Sequence, residues 1–209
     1  MLLLVSIVIL IFSIILHEVA HGYVADWLGD PTARYSGRLT LNPLPHIDPF
    51  GSIILPGLVI LTHSPFLIGW AKPVPYNPYN LKNRRWGEAL VAGAGPFTNI
   101  VLALLFGQLV HFAGALNLSP DALSLSATAV YANLLLAVYN LIPIPPLDGS
   151  KVLKALLPYE GRMAFSRFEQ GAYALGAAGL IIVSLFIIYL LWPVISGLLE
   201  TLFVFVTSF

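Results

Sequence analysis

The sequence predicts an all-α polytopic membrane protein with about five to six transmembrane or re-entrant segments. Of its 209 residues, 58% are hydrophobic and only 10% are charged. A soluble domain of this size carries about a quarter charged residues, so this chain has too few to cover a surface that faces water. Several apolar runs approach the roughly 20 residues that a helix needs to cross a bilayer. Together these observations indicate a chain whose main solvent is lipid.

Charge and cysteine content limit the possible partners and sites. The chain has ten basic and ten acidic residues and a formal net charge of zero, so we expect no nucleic-acid partner. It has no cysteine, which excludes disulfides and thiolate metal sites. Any metal must therefore be held by His, Asp or Glu. The apolar N-terminus lacks the basic region and cleavage site of a signal peptide, which favours a retained helix.

The first helix is predicted to run from about Leu2 to Leu28, because Gly29 and Pro31 then act as stop signals. Polar and apolar residues alternate from Arg34 to Asn42, and prolines follow. This pattern predicts a small β-hairpin element after the first helix, near the membrane surface.

The next apolar segment, Gly51–Trp70, is long enough to span a bilayer but is interrupted by Pro56 and Pro65. Further helices are predicted at Glu88–Phe112, Ala127–Leu141, Ala172–Leu191 and Pro193–Phe209. The sequence has no internal repeat and no low-complexity linker, so residues 1–209 are expected to form a single domain.

Basic residues predict the orientation, since loops rich in Lys and Arg face the cytoplasm. The basic loop residues are Lys72, Lys82, Arg84, Arg85, Lys151, Lys154, Arg162 and Arg167. The loop from Ala113 to Ser126 has no Lys or Arg and is expected outside. Arg34 and Arg38 also favour the cytoplasm, so Gly51–Trp70 must enter and leave on the same side. The sequence thus predicts a multi-pass protein of the cell membrane with a re-entrant loop there.

The sharpest chemical signal is the H-E-x-x-H pattern His17-Glu18-Val19-Ala20-His21 in the first helix. Residues four apart lie about 40° apart around a helix axis, so both imidazoles project from one face. That arrangement suits a tetrahedral zinc ion, with Glu18 placed to take a proton from the water that the metal activates. Chance is the alternative explanation. However, ionisable groups in an apolar helix are costly, and in membranes they mark functional sites.

Asp148 is the candidate third ligand, since catalytic zinc usually has three protein ligands and one open position. It follows the segment 140–147, whose prolines force extended backbone at membrane depth, and such backbone is tolerated only inside protein or beside a water-filled cavity. The alternative is that Asp148 caps a helix beginning near Ser150. His17 and His21 lie roughly 13 Å before the cytoplasmic end of their helix. All three residues therefore fall on the cytoplasmic side, where they can meet.

These motifs resemble the site-2 protease family of intramembrane metalloproteases. The H-E-x-x-H pattern is followed by N-x-x-P-x-P-x-L-D-G, and the segment Gly93–Asn99 is similar to the A-G-P-x-x-N segment of that family. Residues 42–51 and 69–75 are similar to the short bacterial and archaeal branch. The resemblance extends from about Leu16 to Leu153.

The resemblance implies a catalytic core of three helices, approximately residues 1–29, 88–112 and 127–149. It also implies one Zn²⁺ per chain, held by His17, His21 and Asp148.

Two further catalytic roles follow from the resemblance. Glu18 would act as general base in the attack of water on a peptide carbonyl. Asn140 would orient the substrate or donate a hydrogen bond to the developing oxyanion. Alternatively, Asn140 holds the end of a broken helix. Asn99 and Gly95 are expected to serve helix packing. His46 could approach the metal or the substrate entrance, although a satisfied loop histidine is the simpler interpretation.

Three functions are compatible with these residues. The first is an endopeptidase that cuts membrane proteins or peptides within or next to a transmembrane segment, with the substrate added as a strand beside Leu39–Phe50. The second is a metal transporter, because intramembrane His and Asp also mark ion pathways. The third is a catalytically silent member of the family. Transport needs no Glu between two histidines, so the endopeptidase is favoured. The lipid bilayer is the other expected partner, and the sequence carries no signal for an oligomeric state.

Overall fold

The computed structural model describes residues 1–61 and 70–208, and over these residues the chain is helical with no β-strand. Nine α-helices are described: α1 (Leu2–Trp27), α2 (Thr32–Tyr35), α3 (Leu55–Leu61), α4 (Arg84–His111), α5 (Pro120–Asn140), α6 (Asp148–Leu156), α7 (Tyr159–Ala174), α8 (Gly176–Phe186) and α9 (Trp192–Thr207). Short π-helical turns precede α3 and α9, at Pro49–Ile54 and Ile187–Leu191.

Four segments of the described chain are long and apolar enough to cross a membrane. They are Leu2–Trp27, Arg85–His111, Pro120–Asn140 and Ile181–Thr207. The prediction of an all-helical, polytopic membrane protein is therefore confirmed. The predicted re-entrant segment Gly51–Trp70 falls partly on residues 62–69, which lie outside the described residues.

The prediction of a β-hairpin after the first helix is wrong, because the described residues 31–50 contain no strand. Instead, α2 forms one helical turn that ends at Tyr35, and Gly37, two residues later, has a positive φ of 64°. The Gly37 N–H bonds to the Arg34 C=O, and the Arg38 N–H bonds to the Ala33 C=O, which together form a Schellman motif. The alternation of polar and apolar residues in this segment thus comes from a short helix and turns in which only some side chains are buried.

Helix α4 is the centre of the fold and contacts α1, α5, α6 and α9. Gly107 lets α9 approach closely, since a Cβ there would collide with Val206. One buried apolar cluster joins α4, α5 and α9 and is formed by Ala103, Val130, Leu134, Leu147, Ile187, Ile195, Leu199 and Val206. This packing fixes the helices that carry the candidate site.

Asp30 joins the end of α1 to the extended segment that leads into α4. Its fully buried carboxylate accepts hydrogen bonds from the Thr32 hydroxyl (2.5 Å), the Asn77 N–H (2.5 Å) and the Asn80 side-chain amide (2.8 Å). Burial raises the pKa of Asp30, but these hydrogen bonds lower it by more, so its pKa lies below the usual value. Asp30 therefore fixes one end of residues 70–80.

Replacing Asp30 with Ala is expected to lower the free energy of unfolding by about 1–3 kcal/mol, because buried donors lose their acceptor. The folded pKa lies below the unfolded one, so this stabilisation is complete above the unfolded value of about 4 and is lost as the pH falls through the folded pKa. Thermal unfolding in detergent at neutral and acidic pH measures both effects. Asp30→Asn is the matched control without a titrating group, and equal acid sensitivity of wild type and this variant would contradict the assignment.

Candidate metal centre

Three side chains meet where α1 faces the start of α6. The Asp148 Oδ2 atom lies 3.2 Å from His17 Nε2 and 3.3 Å from His21 Nε2. One potential ligand atom from each residue lies within 4.8 Å of the other two. Both imidazoles are buried and stand edge to face, at an angle of 88°. The structure thus brings together the three residues that the sequence predicted as ligands.

The second nitrogen of each imidazole has a fixed hydrogen-bond partner. His21 Nδ1 lies 2.6 Å from the Val91 C=O, which can only accept, so the proton is on Nδ1. His17 Nδ1 lies 2.6 Å from Asn99 Oδ1 and donates to it. Both Nε2 atoms therefore direct lone pairs at Asp148. Partners of this kind orient the histidine ligands of metal sites.

This arrangement of donors fits a bound cation. Two imidazole lone pairs and a carboxylate oxygen repel one another at about 3.3 Å unless positive charge lies between them. Zinc bonds of about 2.0–2.1 Å in tetrahedral geometry place neighbouring ligand atoms about 3.3–3.4 Å apart. The separations between Asp148 and the two histidines match that spacing. The residues present therefore suit zinc in type, number and distance.

Asp148 is held in place from both ends of α6. Helix α6 begins at Asp148 itself and Leu147 occupies the N-cap position, so Asp148 is not the cap residue that the alternative interpretation expected. Gly149 packs directly on the Leu141 C=O, where a Cβ would collide. At the other end, the Arg85 guanidinium of α4 donates to the Ala155 C=O at 2.7 Å. These contacts direct the first residue of α6 towards α1.

A buried chain of amides supports the histidines. Asn99 and Asn133 are fully buried, and Asn99 Nδ2 donates to Asn133 Oδ1 at 2.8 Å. Asn133 Nδ2 in turn donates to the Ser13 hydroxyl at 3.0 Å, one helical turn before His17. This series of hydrogen bonds joins α1, α4 and α5 around the candidate metal centre. Sequence reasoning assigned Asn99 to helix packing and missed Asn133 and Ser13, although a polar residue inside an apolar helix was the available signal.

Glu18 and Asn140 line the cavity of about 410 Å³ that contains the three candidate ligands. Glu18 Oε2 accepts a hydrogen bond from the Val74 N–H at 2.9 Å. Asn140 Nδ2 donates to the Leu136 C=O at 2.9 Å, within its own helix. The cavity walls also include Trp70, Ala71, Pro73, Tyr76, Tyr139, Lys151 and Ser184.

His46 lies away from this centre. It is buried, and its Nε2–H donates to the Thr40 C=O at 2.9 Å. Among the described residues, the only group arranged to hold a metal is His17, His21 and Asp148. His46 is therefore a buried loop residue, but its Nδ1 has no hydrogen-bond partner among the described residues, so it is not the fully satisfied histidine of the simpler interpretation.

Comparison with known proteins assigns the chain to a family. A family model described as Peptidase family M50 matches residues 110–183. YwhC of Bacillus subtilis (strain 168), named as a zinc metalloprotease, is 36% identical over 201 residues, which cover 91% of this chain and 85% of the relative. This chain belongs to peptidase family M50, the site-2 protease family. The resemblance inferred from the motifs is confirmed.

Other M50 relatives match most of this chain but are longer. Rip2 of Mycolicibacterium smegmatis is 32% identical over 165 residues, which cover 78% of this chain and 61% of the relative. Rip2 of Mycobacterium tuberculosis (strain H37Rv) is 34% identical over 163 residues, which cover 77% and 60%. Both are also named as zinc metalloproteases. No solved structure matches this chain.

Gly95→Ala is expected to abolish metal binding, because a Cβ at Gly95 would lie 2.6 Å from ring atoms of both His17 and His21. The fold should persist, since the collision involves side chains at the site rather than the helix backbone. Gly93→Ala is the matched control on the same helix, where a Cβ meets nothing within 4 Å. Zinc titration against a chelator measures the difference. Equal affinities for the two variants would show that Gly95 does not border the bound metal.

Proposed function

We propose that this chain is an intramembrane zinc metalloendopeptidase that hydrolyses peptide bonds within or next to transmembrane segments of membrane proteins. The observation that carries the proposal is the convergence of His17, His21 and Asp148 in one cavity with Glu18. Membership of a peptidase family, with relatives named as zinc metalloproteases, supports the same chemistry.

His17, His21 and Asp148 would hold one zinc ion and leave one coordination position open, as catalytic sites do. When bound, zinc polarises a peptide carbonyl and makes water a better nucleophile at neutral pH. The hydrogen bonds from the two Nδ1–H groups fix the tautomer and the rotation of each ring, so that both Nε2 atoms are directed at the metal position. Asn99 is therefore a supporting residue of the metal site as well as a packing residue.

Glu18 is the general base in this proposal. The Val74 N–H fixes one carboxylate oxygen, and the other oxygen is left to take a proton from the attacking water. The new C–O bond forms first, then the peptide C–N bond breaks, and the proton held by Glu18 passes to the leaving nitrogen. The products are a carboxylic acid and an amine, which account for all the atoms of the peptide and of one water molecule.

The extended residues Trp70–Tyr76 are the proposed docking edge for the substrate, in place of Leu39–Phe50. In an extended chain, successive residues direct their backbone polar groups to opposite edges. One edge faces the protein and is occupied by hydrogen bonds. There the N–H groups of Trp70, Lys72 and Val74 donate to the Gly51 C=O, the His46 C=O and the Glu18 carboxylate, respectively.

The opposite edge of this segment is open in the part of the chain that the structure describes. Among the described residues, no hydrogen bond is made to the backbone of Ala71 or to the Pro73 C=O. Both residues line the cavity that contains the metal centre. A substrate strand that bonds to this edge would present its own backbone to the site. This requires local unwinding of a substrate helix, because a helical peptide bond is shielded.

Asn140 would orient the substrate carbonyl. One N–H of its amide bonds to Leu136, which leaves the second N–H for the developing oxyanion. The single domain of residues 1–209 would comprise a core of residues 1–29, 88–112 and 127–149 and five to six transmembrane or re-entrant segments. By the distribution of basic residues, its site opens towards the cytoplasmic side of the cell membrane.

Glu18→Gln is expected to keep one zinc per chain and to lower kcat by at least about 100-fold, because the amide cannot take a proton. Bound zinc and cleavage of transmembrane peptides by protein purified in detergent measure both properties. His17→Ala is the matched control that should lose both metal and cleavage. Zinc flux into proteoliposomes without peptide cleavage would instead support a transporter, and metal binding without either activity would support a silent family member.

A further inference from the structure

One residue of the substrate-docking segment, Lys72, is held by both of its backbone polar groups. The buried Arg38 donates from Nη2 to the Lys72 C=O at 2.7 Å. The Lys72 N–H donates to the C=O of the buried His46 at 2.9 Å. The Arg38 side chain and the His46 backbone C=O, both in the loop between α2 and the π-helical turn, thus hold the two backbone polar groups of Lys72. We refer to Arg38 and His46 as the backbone clamp.

Arg38 is only 7% exposed and is the one buried Lys or Arg among the residues whose burial the structure describes. The left-handed conformation of Gly37 ends α2 and brings the next residue into the protein. Burial of a guanidinium is costly unless its donors are satisfied. Arg38 Nε and His46 Nδ1 are buried without a hydrogen-bond partner among the described residues. Because these buried nitrogens lack partners, the clamp stabilises the fold poorly. We therefore look for its role in the candidate active site.

The position of Lys72 is transmitted to the general base through a stiff connection. Val74 lies two residues after Lys72, and its N–H donates a hydrogen bond to Glu18 Oε2 at 2.9 Å. Val74 lies between Pro73 and Pro75. Each proline has a fixed φ and disfavours helical backbone in the residue before it. A shift of Lys72 is thus passed to Val74, and from there to the carboxylate of Glu18.

We propose that Arg38 is a positioning residue for the peptidase reaction. By holding the Lys72 carbonyl, it fixes residues 70–74 and, through the Val74 N–H, the orientation of Glu18. This inference rests on the proposed function and adds a residue that acts on the reaction without touching the substrate or the metal. The same contact keeps Ala71 and Pro73 facing the cavity, so the open edge and the base stay aligned.

The test compares Arg38→Met with Arg34→Met, a matched control in the preceding helix α2, where the exposed Arg34 pairs with Asp26. Arg38→Met should lower kcat by about 10- to 100-fold, as displacements of about 1 Å do. Bound zinc and the melting temperature should stay at the wild-type values. Arg38→Lys keeps a donor for the Lys72 carbonyl and should recover part of the lost kcat.

A spectroscopic measurement tests the clamp independently of catalysis. The chain has no cysteine, so Lys72→Cys can carry a single nitroxide label on an exposed side chain. Adding Arg38→Met should increase the mobility of the label in metal-free protein, whereas adding Arg34→Met should not. If Arg38→Met fails to fold, Arg38→Lys is used in both measurements and should give smaller changes of the same sign.

Three results would overturn the inference. They are unchanged label mobility, a wild-type kcat in the Arg38 variants, or a fall in melting temperature with normal kcat for the folded protein. The last result would make Arg38 a structural residue only. Wild-type protein that binds zinc but cleaves no peptide would refute the proposed function, and increased label mobility in that case would still establish the clamp.

Discussion

The hydrogen bond from His17 Nδ1 to Asn99 Oδ1, at 2.6 Å, is the interaction on which the rest of the site depends. Lipid tails are as apolar as leucine, so apolar burial does not drive these helices together, and packing of small residues and buried hydrogen bonds must do so. This bond joins α1 to α4 and directs the second nitrogen of His17 at Asp148. Asn99 then passes the connection to Asn133 in α5. One amide therefore aligns three helices and one candidate metal ligand.

Small residues make this alignment possible. Gly95 lies against both imidazoles, and Gly149 lies against the backbone after α5, where in each case a Cβ would collide. On the cytoplasmic side predicted from the basic loops, the extended residues 70–80 are held near one end by Arg38 and near the other by Asp30. The cavity lies beside this segment and α1. The bilayer helices supply the candidate ligands, and the loop supplies the groups that orient Glu18.

Much of the site could be predicted from the sequence because its signals are local. Helical spacing alone places His17 and His21 on one face, and the cost of burying ionisable groups in lipid marks them as functional. The role of Asp148 was more difficult to predict, since its contact with the histidines depends on how α6 packs against α4. The contacts of Arg38 and Val74 could not be predicted, because they join residues more than 30 positions apart through backbone groups.

The hairpin prediction failed because alternation over a few residues does not distinguish a strand from one helical turn followed by turns. Gly37 decided the outcome, since its left-handed conformation ends α2 and buries the next side chain. Asn99 was assigned to packing because an amide in a membrane helix has that role by default. Only the position of His17 next to it shows the second role.

The most direct test of the central claim is the X-ray absorption spectrum of the zinc-loaded protein compared with that of Asp148→Asn. We expect a four-coordinate site of nitrogen and oxygen ligands at about 2.0–2.1 Å, with the multiple-scattering signal of two imidazoles and no sulfur. The substitution should change the oxygen shell and leave the two-imidazole signal in place. A six-coordinate site, or a spectrum unchanged by Asp148→Asn, would contradict the ligand set on which the proposed function rests.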